Sequence, residues 1–138
     1  MQAFIAHANE DQAVADELRD FLKPWGIHAQ CESGVRGFRP LHPSDVVIGL
    51  WSRNTLFSTY RIVMERRLLE AWSEGRLVLV KLDHQFLPVG MRDLPSIDAT
   101  FEPTRQITTW PKVRSEAREA IDRSLRRRQP RAEEVGGS

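Results

Sequence analysis

The chain has 138 residues, of which 41% are apolar and 28% charged, and its formal net charge is +1. That length suits one domain with a core of its own and calls for no metal or disulfide staple. The near-neutral balance excludes a global field that would draw in nucleic acid or an anionic membrane. No apolar run reaches the length of a bilayer span, and the start MQAFIAHANEDQ does not read as a secretory leader. The single cysteine, Cys31, excludes an internal disulfide framework and fits a reducing cytoplasm.

In chain order, residues Ala3–His7 read as a short apolar strand. Asn9, Glu10 and Asp11 follow with helix-capping chemistry, and Val14, Leu18, Phe21 and Leu22 then recur at helical spacing. Pro24 stops that helix and Gly26 reverses the chain. Ile27, Ala29 and Cys31 alternate with His28 and Gln30, as in a half-buried strand. The stretch Glu32–Ser44 holds two glycines and two prolines and reads as loop. Val46–Trp51 is an unbroken apolar run, the mark of a strand covered on both faces.

Ser52 and Asn54 open one further helix carrying Met64, Leu68 and Trp72, ended by Gly75. Leu77–Leu82 is a second buried strand, and an edge strand is expected near Asp98–Glu102. Val113, Ala117, Ile121 and Leu125 define a last helix. Residues 1–126 form the expected domain, and 127–138 a polar tail or a linker to a further domain.

Alternating strands and helices with apolar strands predict an α/β fold: a flavodoxin-like three-layer sandwich with a five-stranded parallel sheet in the order 2-1-3-4-5. In such sheets a ligand sits outside the carboxyl ends of the strands where the order reverses, here between the first and third. The loops His7–Asp11 and Trp51–Ser58 flank that point, with Glu32–Ser44 nearby.

Asn9 or Asp11 can cap the helix that follows, or line the crevice. Ser58, Arg61 and Glu65 fall at i, i+3 and i+7, one helix face. A hydroxyl and a carboxylate converging there could bind ribose, and a carboxylate could stabilise an oxocarbenium-like transition state. Alternatively, Glu65 pairs with Arg61 on a solvated face. Trp51 either stacks on a bound ring or belongs to the core.

The opening FIAHANEDQAVADELRDFLKPWGI, the segment DVVIGLWSRNTLFSTYRIVMERRLLEAW and the stretch LVLVKLDHQFLPVGMRDLPSIDATFE together resemble a Toll/interleukin-1 receptor (TIR) domain of the bacterial kind. Ser44-Asp45, Ser52, Ser58, Tyr60 and Glu65 carry the central match, and the likeness covers roughly residues 3–125. The resemblance implies a module that associates with itself or with other TIR domains, often through the loop after the second strand. It also implies an NAD+ glycohydrolase or cyclase, as in bacterial members that act in antiphage defence, with NAD+ as substrate and no cofactor or metal.

Glu65 maps onto the catalytic glutamate of that family. His7, Ala8, Asn9, Asp11, Trp51, Ser52 and Ser58 map around the substrate. Arg36 and Phe38 suit contacts to pyrophosphate and a ring, or to a neighbouring subunit. The family's hydroxyl after the first strand is replaced by Ala6-His7, and its frequent cysteine by Arg61. The segment Glu32–Ser44 is too short for both a loop and a full helix, so the helix between strands 2 and 3 is expected to be shortened or missing.

The four histidines show no metal-ligand spacing with one another or with Cys31. Neither G-x-S-x-G nor a glycine-rich phosphate loop occurs. The run Arg126–Arg128 reads as a solvated helix end with cations at its favourable terminus. The non-enzymatic alternative is an adaptor that recruits other TIR domains.

Overall fold

The computed structural model describes residues 2–33 and 45–128. Five parallel strands stand in the order β2-β1-β3-β4-β5: β1 Gln2–Ala6, β2 His28–Glu32, β3 Val46–Trp51, β4 Leu77–Lys81 and β5 Ile97–Asp98. Among the described residues four α-helices accompany them: α1 Gln12–Leu22, α2 Arg53–Leu56, α3 Arg61–Ser73 and α4 Trp110–Arg128. The flavodoxin-like order expected from the apolar runs is the order observed.

Period-two alternation divides the central strands between two cores. Ile5, Val46, Ile48, Leu50, Val78 and Val80 pack on one face against Ala15, Leu18 and Leu22 of α1 and against Trp110, Val113, Ala117 and Ile121 of α4. Ala6, Val47, Trp51 and Leu79 pack on the other against Met64, Leu68 and Ala71 of α3, with Leu87 and Met91. Gly49 of β3 sets how closely α3 approaches, because a Cβ there would stand 2.6 Å from Leu68 Cδ2. Gly26, at φ +77°, supplies the left-handed turn that returns the chain from α1 into β2.

Three boundaries differ from the sequence reading. Glu32 is the last residue of β2, not the start of a loop. The single helix expected after Ser52 is two, because α2 ends at Leu56 and α3 begins only at Arg61. The Ser58 hydroxyl accepts the Tyr60 N–H at 3.0 Å, a local turn that competes with the helical ladder. The fifth strand is Ile97–Asp98, because the Asp98 carboxylate accepts the Thr100 N–H at 2.9 Å and turns the chain. The expected loss of the helix between β2 and β3, and the roles given to Arg36 and Phe38, lie outside the described residues.

Candidate functional site

The reversal of strand order places the loop after β1 beside the loop after β3. His7 extends the ladder past β1 by donating its N–H to the Glu32 carbonyl at 2.9 Å. Its ring is buried, and its Nδ1–H donates to the Ala8 carbonyl at 2.6 Å. Asn9–Asp11 form one 3-10 turn, closed by Asp11 N–H to the Ala8 carbonyl at 2.9 Å.

On the other loop, Ser52 caps α2. Its hydroxyl accepts the Asn54 N–H at 3.1 Å, while the Thr55 hydroxyl accepts the Ser52 N–H at 3.4 Å. Asp11 joins the two loops. Its Oδ2 accepts from the Ser52 hydroxyl at 2.5 Å, and its Oδ1 from the Asn54 amide at 2.9 Å. Asp11 is buried, so a carboxylate removed from water is held by two neutral donors. The expected Asp11 or Asn9 side-chain cap on α1 is absent.

These contacts already engage both Asp11 oxygens. A ribose hydroxyl arriving here would share the Asp11 carboxylate with Asn54 or displace it. Arg53 N–H donates to Asp83 Oδ2 at 2.7 Å, which ties the end of β3 to the turn after β4. Trp51 is a core residue, 1% exposed, so no ring face is open for stacking. Its Nε1 has no hydrogen-bond partner among the described residues.

Glu65 is half-buried on α3. The α3 residues that face the sheet are Met64, Leu68 and Ala71, and one residue along a helix is a rotation of about 100°. Glu65 therefore stands on the flank of α3. There Arg61 Nε lies 3.4 Å from its Oε1, and it shares a shallow depression with Ile62, Arg66, Leu69 and Glu70. The structure brings Asp11, Ser52 and Asn54 together beside His7, Ala8 and Asn9. It does not bring Ser58 onto the α3 face with Arg61 and Glu65, because Ser58 precedes that helix.

The sequence reading missed two groups. Asn54 was taken only as a helix opener, and nothing local shows a partner 43 positions away. Arg67 is a buried cation on the sheet side of α3. Its Nη2 donates to Glu32 Oε2 at 3.0 Å, and its guanidinium lies 5.5 Å from the Phe4 ring centroid. An arginine one turn after Met64, within the apolar stripe, is the signal that could have found it. Burial pushes the Cys31 thiol up to about 11, with its Sγ–H donating to Asp16 at 3.8 Å, so Cys31 is no ready nucleophile. No group of His, Cys, Asp and Glu among the described residues could hold a metal ion. No helix among them is long and apolar enough to cross a membrane.

No protein-family model and no curated protein matches the chain. Its structure is similar to the crystal structure of the TIR domain of the Toll-related receptor TRR-2 from Hydra magnipapillata. The TM-score is 0.60 at 15% identity, over 83% of this chain and 96% of that one. With the strand order 2-1-3-4-5 and the helices on both faces, the fold is that of a TIR domain.

Proposed function

We propose that the chain is an association module that binds a second TIR domain through the outward surface of α3 and the turn before it, in a reducing cytoplasm. The observation that carries this reading is the apolar exposure of that surface. Ile62 is 62% exposed and Leu69, on the same face of α3, is open beside it in a shared depression, with Phe57 72% exposed in the turn before the helix. Adjacent large apolar side chains at one exposed depression mark an interaction site, whereas single ones are ordinary. Glu65 and Arg66 supply the charged rim of the depression between Ile62 and Leu69. The test is capture of an untagged copy by a tagged one. Ile62→Glu and Leu69→Glu are expected to abolish capture while leaving the fold intact.

A second reading is cleavage of the nicotinamide–ribose bond of NAD+, to linear or cyclic ADP-ribose, in an antiphage or signalling role. The Asp11–Ser52–Asn54 cluster supports it, since it stands at the strand ends where sheets of this order bind ligands. Its catalytic group would be Glu65. The ion pair with Arg61 and the inward place of Met64 weigh against that assignment. NAD+ loss from assembled protein, abolished by Glu65→Ala, would establish this reading. Its absence leaves the association module alone.

A further inference from the structure

β5 covers only the last part of β4, where it pairs with Val80 and Lys81. The Arg76 carbonyl accepts the Val47 N–H at 2.9 Å, and Leu82 donates its N–H to the Trp51 carbonyl at 2.8 Å, so the even-numbered residues of this segment face β3. The Lys81 carbonyl accepts the Ala99 N–H at 2.8 Å, so the odd-numbered ones face the other way. Leu77 therefore presents its N–H and its carbonyl to an edge that no strand among the described residues takes. Pro95 stands two residues before Ile97, at the place whose N–H would serve the Leu77 carbonyl, and a proline has none.

This edge is the floor of a groove of about 670 Å³. Trp72, at the end of α3 and 42% exposed, stands on one wall, and Glu116, Glu119 and Arg123 of α4 form the other. Leu77 and Leu79 turn their side chains to the α3 face and Val78 to the α4 face. The helix after β5 returns antiparallel to the strands, so the α4 wall is acidic toward the end of β4 and basic toward its start. Among the described residues neither Glu116 nor Glu119 forms an ion pair. Burial first and Glu119 second push the Glu116 carboxyl above its ordinary value, against Lys112 and Arg123. A cation arriving at this wall relieves both causes.

We propose that the groove takes an extended peptide of another protein as an antiparallel strand beside β4, in the order basic, apolar, acidic. This goes beyond the association reading and uses a different surface. The middle residue of the peptide exchanges two backbone hydrogen bonds with Leu77. Residues opposite one another share a face of the sheet, so its side chain lies with Leu77 on the side of Trp72.

The two flanking side chains turn to α4. The basic one, opposite Val78, faces Glu116 and Glu119, and the acidic one, opposite Arg76, faces Arg123. Two residues of a strand advance about 6.8 Å, and the turn from Glu119 to Arg123 rises about 6 Å. Both charges are therefore met at once.

The experiment is a titration of the full-length chain, followed by amide and indole proton–nitrogen NMR, with a capped pentapeptide whose central residues are arginine, leucine and aspartate. Saturable shifts are expected at the Leu77 and Leu79 amides and the Trp72 indole. A second capped peptide, with the arginine and aspartate exchanged, is expected to bind the wild type roughly tenfold more weakly. In the double variant Glu119→Lys with Arg123→Glu, both changes lie on the exposed side of α4, and the preference between the two peptides is expected to reverse. Ile62→Glu is expected to bind the first peptide as the wild type does, so a failure of the α3 association surface leaves this groove standing.

Absence of saturable shifts at Leu77 and Leu79 up to about 5 mM peptide overturns the proposal. Equal binding of the two peptides by the wild type, or a double variant that keeps the wild-type preference, overturns it as well.

Discussion

The Ser52 hydroxyl donates to the Asp11 carboxylate at 2.5 Å, across 41 positions of sequence, and ties the loop after β1 to the loop after β3. Asn54 completes the same carboxylate, so both loops at the reversal point hang on one acidic side chain. Asp11→Ala leaves two donors without their acceptor and is expected to cost about 3 kcal/mol. Ser52→Ala also removes the α2 cap and should cost about 2 kcal/mol. Because the two residues share one hydrogen bond, the double variant should cost less than the sum. Urea denaturation measures all three.

Gly49→Ala is expected to destabilise by about 1–3 kcal/mol, because its Cβ would meet Leu68 Cδ2 at 2.6 Å inside a filled core. Leu68→Ala makes a cavity when introduced alone. In combination it should recover part of the Gly49→Ala loss, a coupling read from a double-mutant cycle of thermal or urea unfolding.

Cys31 should label slowly with iodoacetamide at pH 8, because burial pushes its thiol up to about 11. The unfolded chain, with the ordinary value of 9.0, should label fast in urea. The sign for stability follows. The folded thiol holds its proton to higher pH than the unfolded one. Between about pH 9 and 11 the unfolded state loses the proton first. Stability should therefore decline as pH rises through that window, and Cys31→Ser should flatten the decline.

Glu65→Ala removes an i,i+4 ion pair with Arg61 that is open to solvent. The urea midpoint should move by less than the equivalent of about 0.5 kcal/mol. A larger loss would show that Glu65 supports the fold rather than the surface it lines.

The central strands were legible because Val46–Trp51 and Leu77–Val80 are continuous apolar runs, and a run covered on both faces points to a parallel sheet. The reversal point followed from strand order alone. The break between α2 and α3 was not legible, since Ser58 and Tyr60 make their turn through one side-chain contact that apolar spacing does not report. Asp11 was read either as a helix cap, which is what an acidic residue before a helix usually is, or as a crevice residue. A tertiary partner at Ser52 claimed it instead. Glu65 was assigned its role by motif alone; on α3 it stands one position beyond the inward Met64, beside Ile62, Arg66, Leu69 and Glu70. Arg67 escaped because its partner, Glu32, was read as loop.

Sedimentation velocity of the wild type and of Ile62→Glu over a concentration series tests the association reading most directly. The account predicts a wild-type sedimentation coefficient that rises with concentration and an Ile62→Glu protein that remains at the monomer value, with the same circular dichroism spectrum. An Ile62→Glu protein that associates as the wild type does would contradict the role assigned to α3.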